Sequence, residues 1–224
     1  MARKVHRIAL SLILAAAFLG SPAQAFELNG RVWPGSNMGF YVSYDNGQFD
    51  AAFKEAAAQW NGLGGFNIST RSCIFVDPCA SISSFDRYPS YKFSSTNCGA
   101  TWGSETLGFT RFWFVGGTQL VDADIVFNAN RNWGIHNDNT ASPFDFRRVA
   151  VHEIGHALGF LHTSAQSIMQ PSYSSTIKTP QQDDINGMNF MYSQATTSFE
   201  FTLCPTPEGS DIIPSILPII LDEE

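Results

Sequence analysis

The sequence predicts an α+β fold. Three observations carry that prediction: short stretches that alternate as strands do, two helix-start signals ahead of segments with helical spacing, and a crowding of histidines into one of those helices, at HEIGHALGFLH, residues 152–162. With 224 residues, 44% hydrophobic and 13% aromatic, the chain can bury one good core, so one main domain is expected.

The first segment reads as a leader. Arg3, Lys4 and Arg7 precede the apolar run from Ile8 to Leu19, which leads to the small-x-small sequence Ala23-Gln24-Ala25. That is the pattern of a secretory signal peptide, and the run is too short for a transmembrane helix. The expected division is a signal peptide at 1–25, a main domain at 26–193 and a C-terminal tail at 194–224. Secretion would place the protein outside the cell or in the periplasm. The net charge is −7, and loss of the leader removes three basic residues and no acidic one. An acidic secreted domain of this kind excludes nucleic acid as a partner and is not drawn to anionic membranes; a monomer is expected. Cys73, Cys79, Cys98 and Cys204 form an even set with no CxxC pair, which in an oxidising compartment reads as two disulfides. Three pairings are open; the one favoured here joins Cys73 to Cys79 and Cys98 to Cys204.

Met38 to Tyr44 alternates as a strand and ends at the turn signal Asp45-Asn46-Gly47. Phe53, Ala56, Ala57 and Trp60 then recur at helical spacing, with Asn61-Gly62 as the stop. Phe66 to Thr70 reads as a short strand. Residues 72–104, rich in Ser, Pro and Gly, read as an irregular excursion, a length that usually carries function or needs staples. Strands at Leu107 to Val115 and Ala123 to Asn128 flank a Gly116-Gly117 turn. Ser142-Pro143-Phe144-Asp145 predicts a helix with Ser142 as N-cap, and Thr179-Pro180-Gln181-Gln182 predicts a second with Ile185, Met188 and Tyr192 on one face. The tail ends in the apolar run Ile212 to Leu221, whose two prolines and short length argue against a membrane span. No internal repeat is present.

On a helix, positions four apart lie one above the other, so His152 and His156 present two imidazoles to one point. Glu153, one residue round, reaches a metal-bound water without occupying a ligand position. A third ligand at His162 requires the chain to turn back, and Gly159 can take the left-handed conformation that does this at little steric cost. Three histidines beside a carboxylate leave a coordination position open, unlike a structural zinc with four protein ligands, and calcium or magnesium would want oxygen ligands.

HExxHxxGxxH followed by Ser167-Ile168-Met169-Gln170-Pro171 resembles the pattern of the metzincin metallopeptidases, and Thr163, Pro171-Ser172-Tyr173 and Gln182-Asp183-Asp184-Ile185-Asn186-Gly187-Met188 resemble the matrixin branch. The resemblance covers roughly Trp33 to Tyr192. It implies the zincin fold, a twisted mixed sheet with long helices whose active-site helix carries the motif and is followed by a methionine turn. It further implies one catalytic Zn2+ on His152, His156 and His162, Glu153 as general base, and Met169 as an apolar floor beneath the metal. Substrates would be proteins or peptides lying extended along an edge strand, with Leu107, Gly108 and Phe109 pairing to the substrate backbone and Pro171 and Tyr173 walling a specificity pocket.

Departures from the branch are specific. Outside the motif the mature chain has only His136 where matrixins hold a second zinc with three histidines and an aspartate, near Asp122 to Asn128 and Trp133. Asn128, Asn130 and Asn132 stand where acidic residues help bind calcium, which counts against Ca2+. No propeptide cysteine precedes the domain, so latency, where present, needs another device such as the tail. If Phe26 becomes the N-terminus, its ammonium is expected to pair with Asp183 or Asp184. The rival reading is a zinc-containing secreted binding or surface-interaction protein without turnover, with the tail from Phe199 as its interaction element.

Overall fold

The computed structural model describes residues 25–42, 47–73, 77–79, 86–198, 204 and 219–221. The leader through residue 24, the turn at 45–46 and most of the apolar run in the tail lie outside the described residues. Strand β1 (Asn37–Val42) runs parallel to β2 (Asn67–Ser72) on one side and to β3 (Ser90–Ser94) on the other. In turn β3 runs parallel to β5 (Gln119–Asn128), and β5 forms an antiparallel hairpin with β4 (Gly108–Val115). The far side of β4 pairs antiparallel with β8 (Ile219–Leu221), giving the order β2-β1-β3-β5-β4-β8. A separate two-stranded piece joins β6 (Trp133–Gly134) to β7 (Phe144–Asp145). Among the described residues three α-helices, α1 (Gln48–Ala58), α2 (Phe146–Leu158) and α3 (Gln182–Tyr192), complete the mixed α and β architecture.

Packing follows from the sequence pattern. The buried face of α1 is Ala52, Phe53, Ala56 and Ala57, with Trp60 fully buried just past its end. Phe53 stacks on Tyr91 of β3 at 4.1 Å, and Phe146 at the start of α2 meets Phe127 of β5 at 4.7 Å. Each such ring contributes roughly 1.5–3 kcal/mol by leaving water. Nearly every residue of α2 is buried, because it lies against both α1 and β4. Buried polar groups pin it further: Trp60 Nε1 donates to Val151 O at 3.0 Å, Trp33 Nε1 to Ala157 O at 2.8 Å, and Tyr192 Oη to Leu158 O at 2.7 Å. The last two use carbonyls that a helix end leaves without intrahelical partners. The helix that carries the histidines is therefore held from three sides.

Several expectations are corrected. Residues 72–104 contain β3, a central strand; its polar Ser90 and Ser94 hid it, and Ser90 is buried because Asp124 accepts from its hydroxyl at 2.9 Å. The histidine helix starts at Phe146, not after Ser142. Residues Phe144 and Asp145 stay extended in β7, and the Asp145 carboxylate caps the helix by accepting from Arg147 N at 3.2 Å. Helix α3 likewise starts later, with Gln181 as N-cap and Asp184 closing a capping box. The disulfides are Cys73–Cys204 and Cys79–Cys98, overturning the favoured pairing. Cys73 sits buried at the end of β2, where the tail reaches it, while Cys79 and Cys98 flank β3 on either side. Finally β4 is not an edge: β8 pairs Ile219, Ile220 and Leu221 with Phe112, Arg111 and Thr110.

Candidate metal centre

Helix α2 ends where the histidine spacing requires. Gly159 has φ 110° and donates its N–H to His156 O at 3.0 Å, and Phe160 N returns to Gly155 O at 3.1 Å. The reversed chain is then held from outside, by Leu161 N on Glu27 O at 2.9 Å and Thr163 N on Met169 O at 3.0 Å. As a result the Nε2 atoms of His152, His156 and His162 stand 3.1–3.2 Å from one another. Three nitrogens at the usual zinc distance from a tetrahedral centre would be about 3.3 Å apart. The two helical rings are oriented from behind: His152 Nδ1 donates to Ile168 O at 2.6 Å and His156 Nδ1 to Phe160 O at 2.9 Å. A carbonyl only accepts, so in the neutral rings the proton sits on Nδ1 and the Nε2 lone pairs face inward. Among the described residues this is the one cluster of three or more His, Cys, Asp or Glu side chains arranged to hold a metal. The donor set fits zinc.

Met169 is fully buried against α2, where Gly155, between His152 and His156, leaves room for it, since a Cβ there would collide with Met169 Sδ. The turn carrying Met169 is fixed by Asp184 of α3, whose carboxylate accepts from Ser167 Oγ, from Ile168 N at 3.0 Å and from Gln181 N at 2.6 Å. Asp184 thus couples α3 to the carbonyl that orients His152. Its neighbour Asp183 takes the backbone N–H of Phe26; burial and the Asp184 charge raise the Asp183 pKa, and the Phe26 bond opposes them.

Glu153 is buried, and its Oε2 accepts from Thr110 Oγ1 at 2.6 Å. Its Oε1 lies over Gly108, where a Cβ would stand only 2.9 Å away. Thr110 was not foreseen, though the alternation of β4 puts it on the same face as Gly108. A cavity of about 360 Å³ adjoins His152 and is lined by Leu107, Val149, Ile168, Pro171 and Tyr173. Phe109 is placed elsewhere: it is fully buried on the other face of β4, 5.6 Å from Trp102. Asp122 and Asp124 lie on that face too, where they accept backbone N–H groups of Asp86, Arg87 and Ser90, and His136 Nε2 meets Pro143 O at 3.1 Å.

A helix bearing HExxH, a left-handed glycine turn, a third histidine and a following methionine turn make this metal centre similar to those of metzincins. Residues 107–193 match the Matrixin family model, and over that segment the chain is matrixin-like. Zinc is the catalytic metal that matrixins use. The chain is 34% identical over 95 residues to matrix metalloproteinase-18 of Xenopus laevis, an overlap of 41% of this chain and 20% of that protein. It is 42% identical over 79 residues to metalloendoproteinase 1 of Glycine max, covering 32% and 26%. The chain therefore aligns with only about a fifth to a quarter of these relatives' lengths. Myroilysin superposes with a TM-score of 0.40 at 14% identity over 76% of this chain and 100% of that chain, a match too slight to argue from.

Proposed function

We propose that the chain is a secreted zinc-dependent endopeptidase acting on peptide bonds of extracellular proteins, with 26–193 as its catalytic domain and 194–224 as a tail. The observation that carries this is the convergence of three Nε2 lone pairs 3.1–3.2 Å apart beside a buried glutamate. His152, His156 and His162 would hold the ion, and zinc bound there supplies the Lewis acidity that activates water and polarises a peptide carbonyl. Glu153 then does the proton work: Thr110 holds Oε2, and Oε1 takes a proton from the attacking water and later delivers it to the leaving amine. Gly108 is small enough to let that carboxylate stand beside β4. The substrate backbone would pair at Leu107, just before β4, and at Gly108, its first residue, ahead of the Thr110–Phe112 stretch that β8 covers. One substrate side chain would enter the cavity walled by Pro171 and Tyr173.

The deciding experiment incubates the purified chain and its Glu153→Gln variant with a peptide library and reads the fragments by mass spectrometry, with zinc content measured in both. Cleavage by the native chain alone, with equal zinc, supports the proposal. Zinc without cleavage in either would favour a zinc-containing binding protein instead.

A further inference from the structure

We infer, resting on the peptidase reading above, that Arg148 makes the cavity beside the histidines select glutamate as the substrate residue on the leaving-amine side of the scissile bond. Arg148 lies one helical turn before His152 on α2, so both side chains emerge on the same face, about 6 Å apart along the axis. Both line the same cavity. The guanidinium is 3% exposed, an uncommon position for an arginine that is not fully paired.

Its hydrogen bonds are one-sided. Nη1 donates to Ser174 O at 2.7 Å and to Tyr173 Oη at 3.2 Å, which fixes the plane of the group. Nε and Nη2 are buried with no hydrogen-bond acceptor. Asp145 Oδ2 stands 3.7 Å from Nη2, which offsets charge but is too far for a hydrogen bond. The edge left over, Nε with Nη2, is the one that pairs side-on with a carboxylate through two parallel N–H···O bonds. Leaving such donors unmade costs free energy that an incoming acceptor recovers.

The walls set the rest of the preference. Leu107, Val149, Ile168 and Tyr173 offer apolar surface to methylene groups between the metal centre and the guanidinium. A glutamate side chain spans most of one helical turn; an aspartate stops short, and a leucine fills the walls while leaving the donors unmet. Glu105 also lines the cavity, but it is exposed, where solvent and salt screen its charge.

The test uses one quenched-fluorescent peptide frame with Glu, Gln, Asp or Leu at that position, measured on the native chain, Arg148→Met and Arg148→Lys. The expected result is a kcat/KM for Glu roughly tenfold or more above that for Leu in the native chain, the size of one charge-assisted hydrogen bond. The ratio should fall below one in Arg148→Met and be only partly kept in Arg148→Lys, whose point charge lacks the planar fork. A native chain that prefers Leu over Glu overturns the inference whatever the variants do. So does an unchanged Glu-to-Leu ratio in Arg148→Met. Cleavage of none of the four peptides, nor of any library peptide, removes the peptidase reading itself, and the specificity with it.

Discussion

The β4–β5 hairpin buries polar side chains on both of its faces, yet only one face makes a site. Toward α2, Thr110 meets Glu153, and beyond it three histidines turn their Nε2 atoms to one point, with the backs of His152 and His156 tied to protein carbonyls. On the opposite face Arg111 lies across from Asp124 and Trp113 across from Asp122. There the bonds run to the 86–90 segment and to the strand itself: Asp122 accepts from Asp86 N, Arg87 N and Ala123 N, and Asp124 Oδ1 accepts from Ser90 N and Ser90 Oγ, while Asp124 Oδ2 is buried without a hydrogen-bond partner. That face fastens the 86–90 segment so that β3 can enter the sheet. Burial of polar atoms is common to both. What separates a site from a fastening is whether several acceptor atoms converge on one point or are turned, one by one, to separate groups of the chain.

Breaking the first face should have the largest effect. His156→Ala removes one of three ligands, and zinc measured after dialysis should fall to near background while the cooperative unfolding transition survives. Retention of stoichiometric zinc would dissolve the contrast. Thr110→Val should keep the metal but lower kcat by roughly ten- to a hundredfold, the range for a hydrogen bond to a charged group. Normal kcat in that variant would make Thr110 a packing residue only. A smaller effect is expected from the far side of β4: truncation after Pro218 keeps Cys204 but removes β8, and should raise kcat/KM a few-fold by uncovering strand-pairing groups. An unchanged or lower value would make β8 a brace for the sheet.

The second face should speak through pH. Burial, with the neighbouring acids adding repulsion, holds the Asp122 and Asp124 carboxyls well above the ordinary carboxylate range. The folded chain keeps those protons where the unfolded chain has released them. Their contribution to stability is therefore complete below the unfolded value near 4 and is lost as pH rises through the folded values. Thermal unfolding followed across that window should show this slope, and Asp124→Asn should flatten it. A slope that Asp124→Asn leaves untouched would assign the effect to other groups.

What the sequence disclosed was the part of the molecule in which near neighbours determine position. His152, His156, Gly159 and His162 lie within eleven residues, and helix geometry with one left-handed glycine suffices to bring them together. Met169 and the α3 residues followed from their order after that motif. The pairings made across distance were not readable: β3 between two parallel partners, β8 against β4, and both disulfides depend on where remote segments arrive. The two helix starts were displaced because Asp145 and Gln181 cap better in the tertiary setting than the proline signals implied. Arg148 was invisible as a specificity residue, since an arginine on a helix reads as a solvated face until the cavity beside it is known.

The Cys73–Cys204 bond gives the tail a further meaning. It anchors the tail to β2, at one margin of the sheet, while β8 lies beyond β4 at the other. A strand fastened covalently in this way is present at an effective concentration of order millimolar, set by the tether and independent of how dilute the protein becomes. A peptide competing for the backbone of β4 therefore faces a constant local rival. A reductant would only lengthen the tether, because the main chain after α3 still carries β8; a nick between Cys204 and Ile219 would sever it and turn that intramolecular contest into an ordinary one governed by dilution.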